Sequence, residues 1–400
     1  MKVLWVNTNF LHPTTKGGQI RTLEMLRHLH RRHDIHYVAI ASPEQTEGPA
    51  RAHEYSAKVY PFSYRVPQKP SPAFFVQLAG GIFSPVPLAV SRFHPPGIAA
   101  FLEKLMARER FDRAVVDHLA PAAYFPDLPH AVLFQHNVET VIWRRRVEHA
   151  SGALSRWYFR LQARRMFAFE RRVSLAAGRI VAVSEADARQ MRELFGVTRV
   201  TAIPTGVNLG YFEAPNPRPV APVAADFVFV GSMDWLPNVD GVLYFVREIL
   251  PLIRRYRPDC SLAIVGRMPP RSMSELAERD PRIHVTGTVP DIRPYLWNGV
   301  VSIVPLRIGG GTRLKIYEAM AARIPVVSTT IGAEGLAIHP PDDIRIGDTP
   351  QDFADRCVEL LSSSEERKRV AGAAWEMVNA NFSWERVARR FEEILAAGRA

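Results

Sequence analysis

The sequence predicts an α/β protein built from two doubly wound domains in tandem, and three observations support this prediction. Strand-like apolar runs alternate with helical patterns along the chain, which is typical of parallel sheets covered by helices. A proline-dense span near the middle has no periodicity and interrupts the alternation. The length of 400 residues suffices for two domains of ordinary size, each with its own core.

The first series of elements starts at the N-terminus. The strand-like run KVLWVN precedes GGQIRTLEMLRHLHRR, whose apolar residues recur at helical spacing, and IHYVAIAS then returns to strand. Further strands are predicted at 111–118, 131–137 and 179–184. The proline-rich stretch 60–96 breaks the rhythm, and we expect loops or short helices there, at the mouth of the sheet.

The second series follows the proline-dense span. Its predicted strands are FVFVGS, SLAIVGR, IHVTGTV, GVVSIVPLR and PVVSTT, and its helices cover 238–254, 313–322 and the region from Pro350 onward. The predicted organisation is an N-terminal domain at 1–205, a linker at 206–225, a C-terminal domain at 226–380, and a C-terminal helix at 381–400 that crosses back to the N-terminal domain. Ligands of doubly wound sheets bind beyond the carboxyl ends of the strands, so we expect the site in the cleft between the domains.

The positive charge is concentrated in the first half of the chain. Residues 1–210 hold 28 Lys and Arg against 16 Asp and Glu, giving +12, whereas residues 211–400 hold 23 against 24, giving −1. This asymmetry indicates a surface that faces nucleic acid, a phospholipid leaflet or a phosphorylated substrate.

Several classes of protein are disfavoured by the sequence. Cys260 and Cys357 lack the spacing of a disulfide framework or a zinc site. The opening MKVLWVNTNF resembles a strand more than a signal peptide, and no window approaches the roughly 18 apolar residues of a membrane-spanning helix. We therefore expect a cytoplasmic protein.

The segment RIGGGTRLKIYEAM, residues 307–320, has the composition of an anion site. Glycines allow close backbone approach, and a helix start favours an anion, so Arg313 and Lys315 in the first turn fit a diphosphate. Glu318 lies three residues after Lys315, on nearly the same face, where its carboxylate can accept hydrogen bonds from ribose hydroxyls. The alternative is a glycine-rich turn with a solvated Lys315–Glu318 pair. The segment matches neither the P-loop nor the GxGxxG fingerprint.

The longer segment GGGTRLKIYEAMAARIPVVSTTIGAEGL resembles the nucleotide-sugar signature of the GT-B glycosyltransferases, in the retaining family 4 group and its branch of bacterial exopolysaccharide sugar transferases. Seven other segments occur in the order of that family: GGQIRTLEML, FQHNVET, VAVSEADARQM, IPTGVNLGYF, VGSMDWLPNVDGV, VTGTVPDI and FSWERVARRFEEIL. The resemblance implies two Rossmann-like domains facing a central cleft, with a nucleotide-diphosphate sugar bound by the C-terminal domain.

Two departures from the family pattern concern the donor. Glu318 matches the second glutamate of the family's paired glutamates, which holds the ribose, but Gly310 stands where the first would contact the donor sugar. That role then passes to backbone amides of Gly310 to Thr312 or is absent. Ser232 and Asn238 occupy the positions where many relatives carry an arginine and a lysine, so Arg313 and Lys315 would provide the missing charge.

The resemblance implies further site residues. The donor-binding set implied by it is Gly17, Gly18, Gly231, Ser232, Asn238, Thr288, Val289, Gly309, Gly310, Gly311 and Thr312. The implied catalytic set is His136, Arg313, Lys315 and Glu318, with Glu139 as a contact to the sugar or acceptor. The structural alternatives are a ligand-free Gly17–Gly18 turn, a satisfied strand-end histidine at 136, and solvated charges at 313 and 315.

The implied reaction is sugar transfer with retention by front-face attack, in which Arg313, Lys315 and the helix start stabilise the departing diphosphate. The sequence holds no DxD motif in a strand-end position, and the Asp342–Asp343 pair after two prolines is predicted to be loop. We expect no metal, and no cofactor besides the nucleotide-diphosphate sugar as co-substrate.

The stretch 143–179 holds ten arginines among six aromatic residues, with Arg156, Arg160 and Arg164 recurring every four residues. Such a basic amphipathic helix suits an anionic leaflet and a lipid-linked or glycan acceptor. The alternative is a helix packed on the sheet with snorkelling arginines.

Two rival functions stay open from sequence alone. A nucleotide-sugar 2-epimerase of the same fold would also bind the donor. A basic protein that binds nucleic acid or membrane would use the +12 half, although no RNP-like motif of a nucleic-acid module is present.

Overall fold

The computed structural model of the protein describes residues 1–14, 17–44, 46–67, 71–72, 77–78, 81, 84–148, 150, 152–220, 223–308 and 313–397. The chain divides into two compact units. The first unit comprises Met1–Pro204 and Trp384–Ala400, and the second comprises Thr205–Ser383. Each unit holds one parallel sheet covered by helices, which confirms the predicted fold class.

The first unit contains a seven-stranded parallel sheet in the order β3-β2-β1-β4-β5-β6-β7. Its strands are β1 (Lys2–Val6), β2 (Asp34–Ala41), β3 (Lys58–Ser63), β4 (Arg113–Asp117), β5 (Ala131–Gln135), β6 (Arg179–Ala182) and β7 (Val200–Ala202). Both faces of the sheet are buried: Val3 and Trp5 of β1 join one core cluster, and Leu4 and Val6 join another. Strands covered on both faces read as continuous apolar runs, as the sequence does here.

The helices of the first unit close these two cores. The α-helices whose bounds the structure describes are Gly17–His30, Glu47–Ala50, Leu88–Ser91, Ile98–Glu109, Glu139–Glu148, Ala153–Ala176, Glu185–Phe195 and Trp384–Ala396. Short 3-10 turns cover Ala52–Glu54, Ala120–Ala123 and Leu128–His130.

The second unit contains a six-stranded parallel sheet in the order β10-β9-β8-β11-β12-β13. Its strands are β8 (Phe227–Val230), β9 (Leu262–Val265), β10 (Ile283–Gly287), β11 (Val301–Val304), β12 (Val326–Ser328) and β13 (Arg345–Ile346). Its helices are Leu209–Phe212, Leu236–Tyr244, Leu250–Arg254, Arg271–Arg279, Arg293–Trp297, Leu314–Ala321, Pro350–Ser362 and Ser364–Phe382.

The order of strands reverses beside the first strand of each unit. In the first unit β1 lies between β2 and β4, and in the second β8 lies between β9 and β11. The loops at the carboxyl ends of these strands diverge there, and doubly wound proteins bind ligands at such a point. The loops after β1, β4, β8 and β11 are therefore the places to look for function.

The structure differs from the predictions in three local details. The stretch 60–96, expected to form loops or short helices, contains the short helix Leu88–Ser91 but begins inside β3, which tolerates Pro61 because β3 is an edge strand. The short strands β7 and β13 were not predicted, since neither exceeds three residues. The helix expected at 238–254 is two α-helices joined by a π-helical turn, Phe245–Ile249.

Candidate active site

In the second unit, Gly231, Arg313, Lys315 and Glu318 form a corner that lies beyond the carboxyl ends of β8 and β11. Gly231 follows β8, and the helix Leu314–Ala321 follows β11 with Arg313 at its N-cap position. Gly309, Gly310, Gly311 and Thr312 lie outside the described residues. Lys315 and Glu318 are both on this helix, one turn apart and half-buried.

Lys315 is held in place by three neighbours. Its Nζ donates a 2.8 Å hydrogen bond to Asn238 Oδ1 and lies 4.3 Å from the centre of the Phe229 ring. Asn238 is buried and donates in turn to the backbone oxygen of Ser232 at 2.7 Å. A Cβ on Gly231 would come within 2.7 Å of Lys315 Nζ, so only glycine leaves room for this arrangement. The ammonium group is thus fixed on Asn238.

The two ionisable groups of the helix have strongly shifted pKa values. Burial lowers the pKa of Lys315 to about 7, the positive charge of Arg313 acts in the same direction, and Glu318 opposes both. Burial raises the pKa of Glu318 to about 7, against the attraction of Lys315. A cation that is destabilised by burial and by a second cation gains most from an anionic ligand. The corner therefore suits a negatively charged group.

Other cations and polar groups surround the corner. The Arg313 guanidinium lies 5.0 Å from the centre of the Trp235 ring. Ser232 Oγ donates to Asp234 at 2.5 Å and accepts from Arg267 Nε at 2.8 Å. The sequence prediction missed Arg267, which follows β9 and whose guanidinium contacts Ser232 and Asp234. Its only sequence signal is its place directly after the apolar run SLAIVG.

Thr288 and Val289 lie where the sequence places them, just beyond β10. Gly287, the last residue of β10, has a positive φ of 67°, which a side chain would disfavour. Thr288 is exposed, and Val289 packs partly against the core. The loop therefore offers its backbone at the same edge of the sheet as Gly231.

A buried carboxylate organises the corresponding edge of the first unit. Asp117, the last residue of β4, is fully buried. Its Oδ2 accepts from Trp5 Nε1 at 3.0 Å, Asn7 Nδ2 at 2.7 Å and Thr22 Oγ1 at 2.8 Å. Burial raises the pKa of Asp117, but the adjacent His136, the nearby His118 and the hydrogen bond from Trp5 outweigh it and hold that pKa below the ordinary value. The carboxylate stays ionised.

His136 follows β5 and has both ring nitrogens engaged. Nε2 lies 2.7 Å from Asp117 Oδ1, and Nδ1 lies 3.1 Å from Arg21 Nη1. Because Arg21 only donates and ionised Asp117 only accepts, the ring is the neutral tautomer with its proton on Nε2. Burial lowers the pKa of His136 to about 3, assisted by His118 and Arg21 and opposed by Asp117. His136 is thus a buried, neutral spacer between two charges.

His118 stacks on His136 and is the more exposed of the two rings. Their centroids are 3.9 Å apart, and the side chain of His118 is 36% exposed against 2% for His136. The backbone of His118 has a φ of 71°, a strained value typical of functional sites. Gly18 lies against this pair, since a Cβ there would be 3.2 Å from His118 Cε1, whereas Gly17 faces open space. The sequence prediction missed His118, Asp117 and Arg21.

Asp117, His118 and His136 also form a set of three groups close enough to bind a metal ion. A metal on His136 Nε2 would need the proton on Nδ1, where it would point at the Arg21 guanidinium. The donor set therefore does not fit a metal at His136.

The region around Glu139 is a helix junction. Glu139 begins the helix Glu139–Glu148, and its backbone N–H donates to Glu170 Oε1 at 2.9 Å. Thr140 donates to Glu170 Oε2 through its N–H at 2.7 Å and its hydroxyl at 2.6 Å. Burial raises the pKa of Glu139, and hydrogen bonding from Asn137 and the charge of Arg146 oppose the rise.

The basic stretch is helical, and its outer face is cationic. In the helix Ala153–Ala176 the exposed charged residues are all arginines: Arg156, Arg160, Arg164, Arg171 and Arg172. Leu154, Trp157 and Leu175 are exposed beside them, while the single acid, Glu170, is buried on the other side. In the described part of the chain, no helix has the length and apolarity needed to cross a bilayer.

Comparison with known proteins matches each unit to a glycosyltransferase family model. Residues 15–211 match the family model described as Glycosyltransferase Family 4, and residues 224–363 match the model described as Glycosyl transferases group 1. The two matches together cover most of the chain.

Curated relatives match parts of the chain. It is 24% identical over 168 residues to an uncharacterized 44.6 kDa protein in the cps region of Klebsiella pneumoniae, covering 40% of this chain and 43% of that protein. It is 25% identical over 251 residues to the MMP alpha-(1->4)-mannosyltransferase of Mycolicibacterium hassiacum, covering 59% of each. The chain thus spans less than two thirds of the length of these relatives.

Solved structures match over almost the full length. Sucrose-phosphate synthase from Thermosynechococcus elongatus has a TM-score of 0.69 at 15% identity, covering 99% of this chain and 98% of that one. Anabaena HepE in complex with UDP has a TM-score of 0.67 at 12% identity, covering 99% and 100%. WaaG, a glycosyltransferase involved in lipopolysaccharide biosynthesis, has a TM-score of 0.62 at 15% identity, covering 98% and 99%. The chain belongs to the group 1 and family 4 glycosyltransferases and has their GT-B fold.

Proposed function

We propose that the protein transfers a sugar from a nucleotide-diphosphate sugar to an acceptor hydroxyl with retention of anomeric configuration. The observation that carries the proposal is the fixed Lys315 ammonium, with Glu318 one turn further along the same helix. Lys315 and Arg313 bind the diphosphate, and Glu318 accepts hydrogen bonds from the ribose. HepE, a relative in fold, is known in complex with UDP and with UDP-glucose, which supports a nucleotide sugar as donor.

The reaction proceeds by attack on the same face as the leaving group. The acceptor oxygen bonds to the anomeric carbon while the bond from that carbon to the phosphate oxygen breaks. The acceptor proton passes to the departing diphosphate, whose growing negative charge is stabilised by Arg313 and Lys315. No step needs a metal ion or a cofactor.

The first unit binds the acceptor or the transferred sugar. His118 contacts hydroxyl groups, because its ring is the exposed one of the stacked pair and is braced by His136. His136 acts through His118, since both of its own nitrogens are engaged. Glu139, half-buried at a helix start, is a further contact to sugar or acceptor.

The acceptor is lipid-linked, and the product belongs to an exopolysaccharide or another cell-surface glycan. The cationic outer face of the helix Ala153–Ala176 rests on the anionic inner face of the cytoplasmic membrane, with Leu154 and Trp157 entering the headgroup region. The cps-region relative in Klebsiella pneumoniae and the lipopolysaccharide role of WaaG support this assignment.

Donor binding is tested by thermal shift with UDP-, GDP- and ADP-sugars. One class should raise the melting temperature, and Lys315→Ala and Glu318→Ala should each lose most of that rise. Lys104→Ala and Glu278→Ala, which replace exposed residues on other helices, serve as matched controls. Unchanged binding in both site variants would refute the assignment.

The reaction class is tested with the same nucleotide sugar. Incubation without acceptor should leave the sugar nucleotide intact, apart from slow hydrolysis. Formation of a different sugar nucleotide would instead identify a 2-epimerase. Retention is then tested with enzyme that a chelator has freed of metal. The anomeric signals of the product should show the same anomeric configuration as the donor sugar.

Membrane contact is tested by sedimentation with anionic phospholipid vesicles. Arg160→Gln combined with Arg164→Gln should weaken binding about 30-fold, because each surface charge contributes about 1 kcal/mol. Arg255→Gln combined with Arg279→Gln removes the same charge from exposed positions of the second unit and should leave binding unchanged. Equal loss in both double variants would contradict a specific face.

A further inference from the structure

A cavity in the second unit lies at the opposite edge of its sheet from Lys315. Its volume is about 250 Å³. Val300 and Pro325, which precede β11 and β12, form part of its lining, so the cavity lies at the amino ends of these strands. Lys315 and Gly231 lie beyond the carboxyl ends.

Four cations line this cavity together with apolar side chains. They are Arg218, Arg323, Arg367 and Lys368. The lining contains no aspartate or glutamate. A small cavity with an apolar floor and only positive charges at its wall is complementary to a compact anion.

Three of the cations are positioned by contacts that leave their charge uncompensated. Arg218 Nη1 donates to the backbone oxygen of Trp297 at 3.0 Å, and Arg367 Nη1 donates to that of Leu360 at 2.7 Å. The Arg323 guanidinium lies 3.9 Å from the centre of a tryptophan ring. Carbonyl groups and rings orient a guanidinium without neutralising it.

Carboxylate partners are found for several arginines elsewhere in the unit but, among the described residues, not for the cations of this cavity. Elsewhere in the unit Arg254, Arg267, Arg293 and Arg307 each lie within 3.1 Å of an aspartate oxygen. Among the residues that the structure describes, none of the four cavity cations has a carboxylate within 4.0 Å. Like charges that gather without counter-charges are unfavourable unless an anion joins them.

Arg323 also occupies an unusual backbone position. It follows the helix Leu314–Ala321 with a φ of 57°, a left-handed value at which helices usually place glycine. A large cationic side chain is retained there at a conformational cost. The cost is consistent with a role for the guanidinium itself.

We propose that this cavity is a second anion site, which binds the phosphate group of a small molecule such as inorganic phosphate or a phosphomonoester. Arg323 and Arg367 provide fork-shaped donors suited to phosphate oxygens, and Lys368 adds a point charge. The site is separate from the nucleotide corner, so this inference does not depend on the proposed function.

The test is calorimetric titration with inorganic phosphate at constant ionic strength. Wild-type protein should show saturable binding, and Arg323→Gln combined with Lys368→Gln should weaken it at least about tenfold, since two charge-assisted bonds are lost. Lys315→Ala should keep this phosphate binding. Arg255→Gln combined with Arg279→Gln is the control of equal charge and should behave as wild type.

A second titration, with the nucleotide sugar from the donor screen, separates the two sites. The Arg323→Gln and Lys368→Gln double variant should bind it normally, which also shows that the variant is folded. Three results would overturn the second site: no saturable phosphate binding by wild type, unchanged phosphate binding in the double variant, or its complete loss in Lys315→Ala. Binding to anionic phospholipid vesicles that depends on Arg323, without binding of free phosphate, would overturn the small-molecule ligand.

Discussion

Lys315 and Glu318 share a pKa of about 7 although one is a base and the other an acid. Both shifts have burial as their main cause, and a bound diphosphate and ribose would reverse both. The ionised forms are the ones that bind, so proton exchange accompanies donor binding.

The donor affinity should therefore have a maximum near pH 7. Above this pH Lys315 loses its proton in the free protein, and below it Glu318 gains one, so affinity falls up to tenfold per pH unit on either side. Titrations of the nucleotide sugar from pH 5 to 9 measure the profile.

Two variants test the alkaline and the acid side of this pH profile separately. Lys315→Arg should flatten the alkaline limb, because arginine stays charged, and Glu318→Gln should flatten the acid limb. A flat profile in wild type would contradict the assignment of these pKa values to donor binding.

A substitution at Gly231 is the most direct test of whether the position of Lys315 matters for nucleotide binding. A methyl group in Gly231→Ala would lie 2.7 Å from Lys315 Nζ and 2.8 Å from Asn238 Nδ2, so the ammonium must move and nucleotide affinity should fall at least about tenfold. Gly372→Ala, in a helix with open space around it, should bind normally. Equal affinities, measured by calorimetry, would show that the lysine position is not critical.

The sequence indicates the nucleotide corner better than the site of the first unit. Lys315 and Glu318 are three residues apart on one helix, so their shared face follows from helical spacing alone. Asp117, His118 and Arg21 meet only because β1, β4 and the first helix converge, which requires the strand order. For the same reason the resemblance implied a direct role for His136, without the Arg21 and Asp117 contacts that engage both its nitrogens.

Among the elements, the helix Glu139–Glu148 depends on a carboxylate from the next helix. Glu170 accepts three hydrogen bonds from its first turn and is fully buried. It replaces the local N-cap residue that the sequence lacks. Through this cap Glu170 connects the helix Ala153–Ala176 to the start of the helix that follows His136.

Removing the cap should destabilise the first unit. Glu170→Ala leaves buried donors of Glu139 and Thr140 unsatisfied and should cost about 2–4 kcal/mol in the free energy of unfolding. Denaturant titration measures this, with Glu193→Ala on the exposed surface of another helix as control. A cost equal to that of the control would show that water replaces the carboxylate.

The same residue predicts a pH dependence of stability. Burial raises the pKa of Glu170 to about 7 from its ordinary value of 4.5, and hydrogen bonds from Thr140 oppose the rise. The folded state then holds the proton more tightly, so the stability from this group is full below pH 4.5 and is lost as pH rises to about 7. Glu170→Gln should remove this slope from unfolding curves measured between pH 4.5 and 7.

Long elements follow from the sequence more readily than short or edge elements. The apolar runs of β1, β4, β5 and β8 are buried on both faces. Such continuous apolar runs fit only the interior of a covered sheet, so the sequence predicts them readily. β13 has two residues, and β3 contains a proline, so local pattern does not distinguish either from a loop.

For the whole molecule, the helix Trp384–Ala396 is part of the first unit although it follows the second in sequence. Phe391 is fully buried, with its ring 5.4 Å from that of Trp5 and 5.2 Å from that of Phe134. The core of the first unit is therefore built from segments that lie on both sides of the second unit in the sequence.

Phe391→Ala should destabilise the first unit by about 3–5 kcal/mol, through lost burial and a cavity. Nucleotide-dependent stabilisation of the second unit should persist in this variant. Phe353→Ala, in the core of the second unit, should instead abolish it. Calorimetric scans with and without the nucleotide sugar compare the two variants.

The place of this helix has a consequence for synthesis on the ribosome. Every residue of Thr205–Ser383 has been translated before Trp384 appears, so the second unit can complete its core first. Strands β1 to β7, although made earlier, must wait with part of one face uncovered until this helix emerges. The first unit, although most of it is synthesised earlier, is thus the later of the two units to complete its core.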